Sequence, residues 1–255
     1  MHNLTIIIWA YNQEDKIADC LQSAQLLTKN IIIIDLESTD KTALIAKKMG
    51  AVVITHSNYQ FVEPVRNFGI AQAKTEWIFI LDADERITPE LAEETKNQLT
   101  TPDIPATYFY LPRKNIFHQQ QWLKHGGWWP DYQIRIINKN YFINWPEIIH
   151  SCPQIKGTPG YFKNPLLHLS HQNLEKMVNT TLIFENQEAE LLFQAQKPVT
   201  TGTFFRKFNG ELFRRLIKGG GFLDGSIGII EGIYQAFSKT ITYLFLYEKK
   251  NCRSL

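Results

Sequence analysis

EWIFILDADERITPE, residues 76–90, decides the fold. Trp77 to Leu81 form an uninterrupted apolar run of strand length, which predicts a strand buried on both faces. Asp82, Asp84 and Glu85 follow at once. Unpaired charge is expensive to bury, so a core strand that ends in carboxylates should open onto a rim where something answers them.

The chain upstream alternates. LTIIIWA (4–10), NIIIIDL (30–36) and AVVITH (51–56) are predicted strands. EDKIADCLQSAQLL (14–27), STDKTALIAKKMG (38–50) and EPVRNFGIAQAK (63–74) are predicted helices. The first has Ile17, Cys20, Leu21, Ala24 and Leu27 at helical spacing; the second starts near Ser38 or Thr39 and stops at Gly50; the third has Pro64 in its first turn. Such alternation implies an α/β domain with a mostly parallel central sheet and helices on both faces. Ligands of such sheets sit beyond the carboxyl ends of the strands. Those ends carry Tyr11 to Glu14, then Asp35, then Asp82 and Asp84, a polar crevice gathered from distant segments.

After residue 100 the pattern changes. Strands are predicted over 106–117 and 132–138, with a short one within 160–171. A long helix is predicted from Asn173 to about Gln196, and the remainder is mostly helical. The expected organisation is a first half over 1–100, a second half of the same domain over 101–172, and a C-terminal helical extension over 173–255. Between Phe204 and Lys218 lie Arg206, Lys207, Arg214, Arg215 and Lys218 against Glu211 alone. Gly219 to Gly221 should break the helix, and Ile230, Ile233, Tyr234, Phe237, Ile241 and Leu244 then recur at spacings of three and four. A basic-flanked apolar stripe suits peripheral contact with a membrane interface, and equally suits packing on the catalytic domain or on a second subunit.

The totals narrow the function classes. With 255 residues and 44% hydrophobic content the chain can bury a sizeable core, and a net charge of +2 gives no overall field for nucleic acid. Three widely spaced cysteines, Cys20, Cys152 and Cys252, form neither a disulfide framework nor a zinc motif, which suits a reducing cytoplasm. Leu4 to Trp9 lacks the basic flank of a signal peptide, and Glu231 and Lys239 interrupt the C-terminal stripe, so no membrane span is expected.

Asp-x-Asp at a strand end offers hard oxygens that suit Mg2+ or Mn2+, which in turn would hold a diphosphate; the same residues also suit a charged surface turn. TIIIWAYNQED (5–15), IIIIDLESTDKT (31–42), RNFGIAQAKTEWIFILDADE (66–85) and GGWWPDYQIRI (126–136) follow in order. Together they resemble the inverting family-two glycosyltransferases of the GT-A fold, and are most similar to the WaaE-like enzymes of lipopolysaccharide core synthesis.

The resemblance implies roles. Tyr11, Asn12 and Glu14 would hold the nucleotide base and ribose, and Asp35 would accept from a base ring N–H. Arg66 would reach a phosphate or brace the carboxylates. Asp82 would face the nucleotide sugar, Asp84 the divalent cation, with His150 of EIIHS completing the metal shell. Asp131 would be the base, and Trp128, Trp129 and Arg135 would serve the acceptor. Asp40 is assigned to helix support, and His125, His168 and His171 receive no role. The implied reaction is a metal-assisted single displacement, a hexosyltransfer from a nucleotide sugar, most naturally UDP-linked. The acceptor would be a cell-surface glycan or lipid-linked precursor at the cytoplasmic face of the inner membrane. A sugar nucleotidyltransferase and a non-catalytic glycan-binding or scaffold protein on the same fold are the alternatives. The chain departs from the family pattern where D-S-G-S-T-D becomes Asp35-Leu36-Glu37-Ser38-Thr39-Asp40, and where Ser151 replaces the expected Glu after His150.

Overall fold

The computed structural model describes residues 3–59, 61–101, 104–117, 121–170 and 174–252. In chain order the elements are β1 (Leu4–Ala10), α1 (Ile17–Ala24), β2 (Ile31–Asp35), α2 (Thr42–Lys48), β3 (Val52–Thr55), α3 (Glu63–Gln72), β4 (Trp77–Asp82), β5 (Glu85–Arg86) and α4 (Pro89–Thr100). Then come β6 (Tyr108–Phe117), β7 (Gln121–Trp122), β8 (Asp131–Asn138), β9 (Phe142–Asn144), β10 (Gln154–Ile155), β11 (Pro159–Tyr161), β12 (Leu166–Ser170), α5 (Leu174–Gln194), α6 (Thr201–Phe213) and α7 (Gly225–Cys252). The chain divides into two compact units: residues 1–114 with 131–168, and residues 115–130 with 169–255. The segment 115–130, expected with the acceptor half, therefore groups with the C-terminal helices.

In the first unit the strand order begins β3–β2–β1–β4, all parallel, and continues through β8 and β6, which pair antiparallel. The continuous apolar strands are explained by burial on both faces. Leu4, Ile6, Ile8 and Ala10 of β1 pack with Ile17, Cys20, Leu21 and Ala24 of α1, and with Leu91 and Ala92 of α4. The alternate residues Ile7 and Trp9 point the other way, toward Val65, Ile70 and Ala73 at α3. Helix α3 lies so close that a Cβ on Gly69 would stand 2.4 Å from the Trp9 ring. The Trp9 indole N–H donates to the Val65 carbonyl at 3.1 Å, which satisfies the one polar atom of that ring.

Register fixes the rim. Ala10 of β1 lies opposite Asp35 of β2, and Trp9 lies opposite Asp82 of β4. Asp35 and Asp82 therefore flank the end of β1, two strand spacings or about 10 Å apart.

The second unit is built on α5, α6 and α7, with Ala189, Tyr243 and Leu246 buried among them. The glycine run acts as expected. A wide π-type turn over Arg214–Lys218 follows α6, and Gly220 with φ 66 turns the chain before α7.

Candidate active site

Two rim loops are tied together by side chains. Asn12 (φ 49) donates its backbone N–H to Ser38 Oγ at 3.0 Å, and its Oδ1 accepts from the Thr39 N–H at 2.8 Å. Glu14 Oε2 accepts from the Lys41 N–H, and Asp40 Oδ2 accepts from the Glu14 N–H, both at 3.0 Å. Asp40 Oδ1 also takes the Thr42 N–H at the start of α2, the helix-support role expected of it. Asn12 and Glu14, expected on the nucleotide, thus use their side chains to hold one loop to the other. Tyr11 and Glu14 of that trio are exposed, and Tyr11 makes no side-chain bond to the neighbouring loop among those described. Glu37 stands where the resemblance places a glycine and adopts φ 57, held there by the bond from the Asn58 N–H to its Oε2 at 3.1 Å.

Asp35 is buried at the end of β2. Its Oδ2 accepts from the Ser38 N–H at 3.3 Å, while its Oδ1 is buried with no hydrogen-bond partner among the described residues. Such an orphaned acceptor is costly unless a ligand donor meets it.

At the end of β4 the carboxylates enter a chain of alternating charge. Arg66 Nη2 donates to Asp82 Oδ1 at 3.1 Å, and Arg135 Nη2 donates to Asp82 Oδ2 at 2.6 Å and to Glu85 Oε1 at 2.5 Å. Arg113 Nη1 lies 3.7 Å from Glu85 Oε1, and its Nη2 lies 2.7 Å from Asp131 Oδ2. Arg113 and Asp131 sit opposite each other in the β6–β8 register, so the sheet itself creates that pair. Gln133 Nε2 holds the other Asp131 oxygen at 2.8 Å. Burial would raise the Asp82 pKa, but Arg135 and Arg66 outweigh it and hold the carboxyl well below its usual range. Glu85 has no solvent exposure, and burial pushes its carboxyl upward against the pull of Arg135. Burial works against the Arg135 charge, yet Asp82 and Glu85 hold it firmly protonated.

Arg135, expected at the acceptor, is buried instead with its guanidinium clamped on Asp82 and Glu85. Arg66 stands in the second of its two expected roles, bracing Asp82, with its guanidinium 4.4 Å from the Trp9 ring centre and 5.1 Å from that of Trp145. Asn67 secures the second ring by bonding both the N–H and the carbonyl of Trp145 at 2.8 Å.

Asp84 points elsewhere. Its Oδ2 lies 3.6 Å from His168 Nε2 on β12. Burial would raise its pKa, but His168 outweighs it and lowers the carboxyl. His150 occupies an exposed turn with φ 59, and its backbone N–H donates to Glu63 Oε1 at 2.9 Å. Among the described residues no three His, Cys, Asp or Glu side chains gather as a ready metal cage, so His150 does not join Asp84 and His168. His171 lies outside the described residues.

Trp128 and Trp129 belong to the second unit. Trp129 packs edge-on against Trp122 with ring centres 5.1 Å apart, and Arg215 lies 5.1 Å from the Trp128 ring centre. The Trp128 carbonyl accepts from Asn115 at 3.1 Å. Glu85, Arg113, Gln133 and His168 were missed from sequence. Glu85 was visible in the quoted DADE; the other three become site residues only through strand pairing.

Residues 5–156 match the model of glycosyl transferase family 2, and the chain belongs to that family. It is a glycosyltransferase, which decides against the nucleotidyltransferase alternative. An uncharacterised glycosyltransferase of Rickettsia conorii is 22% identical over 96% of this chain and 90% of its own length. Among solved structures, Staphylococcus aureus TarS 1–349 in complex with UDP is 14% identical, covers 98% of this chain and 91% of that one, and has a TM-score of 0.47. Glucosyl-3-phosphoglycerate synthase from Mycobacterium tuberculosis, with Mn2+, UDP and glucosyl-3-phosphoglycerate, is 12% identical, covers 77% and 81%, and has a TM-score of 0.48.

Proposed function

We propose that this glycosyltransferase moves a hexose from a nucleoside-diphosphate sugar to a hydroxyl of a cell-surface glycan or its lipid-linked precursor, with inversion. The observation that carries this is Asp35, whose buried Oδ1 has no donor among the described residues at the end of a parallel strand, beside the exposed Tyr11. A ring N–H of uracil meets that acceptor, which favours a UDP-sugar; adenine has no such donor. The WaaE-like resemblance of the motifs supports a lipopolysaccharide-type acceptor at the cytoplasmic face of the inner membrane.

The donor set fits a divalent cation in one arrangement. Both Asp82 oxygens are occupied by arginines, so Asp84 and His168 would hold the ion, with water and diphosphate oxygens completing its shell, as Mg2+ prefers. When bound, the ion supplies positive charge for the departing diphosphate. Asp131 takes the proton of the attacking hydroxyl as the new bond to the anomeric carbon forms and the diphosphate leaves with the bonding electrons. Arg113 and Gln133 orient that carboxylate from either side. Arg66 and Arg135 keep Asp82 ionised and fixed at the rim.

The test is UDP binding by calorimetry with Mn2+, with EDTA, and in Asp84→Ala. Affinity should fall at least about tenfold on chelation and by a similar factor in the variant, because unscreened carboxylates repel a diphosphate. Equal affinity with and without metal would remove the cation from the reading.

A further inference from the structure

Helix α7 carries an apolar stripe on its exposed face. At 3.6 residues per turn Ile229, Ile230, Ile233, Phe237, Leu244 and Tyr247 fall within a sector of about 100°. Each of the six is between 40% and 57% exposed. The opposite side, turned into the unit, buries Glu231, Ser238 and Thr242 beside the apolar Ala236, Ile241, Tyr243 and Leu246. The hydroxyls of Ser238 and Thr242 donate to Glu185 of α5. A helix whose outer face meets water carries polar residues there. Phe213, Ile217, Phe222 and Leu223 of the preceding turns are exposed as well. Exposed apolar residues in this number mark an interaction surface.

Charge selects the partner. Between residues 201 and 247 the exposed charged side chains are Arg206, Arg214 and Lys218, all basic, and Glu248, directly after that span, is the one exposed acid of α7. The three acids of that span are withdrawn. Glu211 is paired with Arg214 and Arg215. Asp224 accepts from the backbone N–H groups of Lys124 and His125 at 2.9 and 2.8 Å, and pairs with the His125 ring. Glu231 is buried. A second copy of the same face would set these basic groups against one another, with Glu248 alone as an exposed acid to meet them. An anionic bilayer supplies an apolar interior and negative headgroups together.

We propose that the exposed face of α7, with the Phe222–Leu223 turn, docks flat on an anionic phospholipid bilayer. The contact is peripheral, since no helix among the described residues is long and apolar enough to cross a membrane. The docking elements also hold the tryptophan segment. Gly126 donates its N–H to the Gly219 carbonyl at 2.8 Å, and Arg215 Nη1 donates to the Gly126 carbonyl at 2.8 Å. Trp128 and Trp129 are thereby carried on the lipid-bound unit, which deepens the proposal of a lipid-linked acceptor and rests on it only for that consequence.

The test is flotation of the full chain with vesicles of phosphatidylglycerol and phosphatidylcholine, which reads lipid binding without any transfer assay. Recovery with anionic vesicles is expected. Ile233→Ser with Phe237→Ser should lower partition at least about tenfold, the loss of two apolar side chains from the interface. Arg206→Ala with Lys218→Ala should lower it about fivefold per charge on anionic vesicles alone. Both pairs are solvent-exposed, so circular dichroism and UDP binding should match the unsubstituted chain. Failure of the unsubstituted chain to float with anionic vesicles overturns the proposal. So does an oligomer in light scattering that the serine pair dissociates while flotation is unchanged. Loss of transfer with flotation intact counts against the sugar-transfer reading instead.

Discussion

Asp82 in the first unit and Glu231 in the second meet opposite fates. In the first unit Asp82 and Glu85 are each bonded to the Arg135 guanidinium, and Arg66 and Arg113 continue the chain of opposite charge to Asp131. Asp82 stays ionised despite the cost of burial. In the second unit Glu231 is buried as Glu85 is, but its Oε1 has the amide of Gln235, at 2.8 Å, and its Oε2 has no hydrogen-bond partner among the described residues. Burial pushes that carboxyl up to about 7, with Gln235 and the more distant Arg215 only partly opposing it. Two guanidinium groups outweigh burial at Asp82, whereas burial prevails at Glu231, which bonds none, and at Glu85 against the pull of Arg135.

The contrast can be broken first at Asp131. Asp131→Asn keeps the shape and the Gln133 neighbourhood but cannot accept the proton. Turnover should fall about 10²–10⁴-fold with donor affinity little changed, checked by steady-state kinetics beside UDP calorimetry. Retained turnover would reduce Asp131 to the far end of the charge chain, a structural partner of Arg113.

Next, Arg135→Met would give the first unit the condition of the second. It leaves Glu85 buried with Arg113 at 3.7 Å as its remaining guanidinium. Breaking a buried ionic cluster in this way should cost about 3–5 kcal/mol in urea denaturation. A loss under about 1 kcal/mol would mean that the cluster relaxes or hydrates, and that Arg135 is not what retains the charge.

The smallest change sharpens the other side. Glu231 has its ordinary value near 4.5 when unfolded and about 7 when folded. Between those values the folded chain holds a proton that the unfolded chain has lost. Stability contributed by the neutral form is therefore full below about pH 4.5 and is lost as pH rises toward 7. The displacement corresponds to about 3 kcal/mol at most. Glu231→Gln should gain about 1–3 kcal/mol at pH 8 and nothing at pH 4, read from denaturation at the two pH values. A gain that is equal at both would show that packing, not titration, separates the variants.

Much of the first unit was legible in the sequence because its signals are local. A parallel strand buried on both faces must be apolar throughout, so 4–10, 31–35 and 77–82 announced themselves, and their last residues had to form the rim. The acids at those ends, Asp35, Asp82 and Asp84, could be named without any contact being known. The loop residues Asn12 and Glu14 could not be assigned correctly, because a polar side chain in a loop looks the same whether it meets a ligand or a neighbouring loop.

Sequence alone determined the alternating architecture, the acidic rim and the basic-flanked stripe of the C-terminal helix, all set by residue type at short range. Tertiary structure alone decided which charge answers which. Arg113 meets Asp131 because β6 and β8 pair in one antiparallel register, His168 reaches Asp84 because β12 pairs with β5, and Arg135 turns inward to join Asp82 to Glu85. It also decided which apolar residues of α7 are buried, Tyr243 and Leu246, and which are left exposed, Ile233 and Phe237. Charge pairing and burial depend on what lies across the fold, and no periodicity along a single chain encodes that distance.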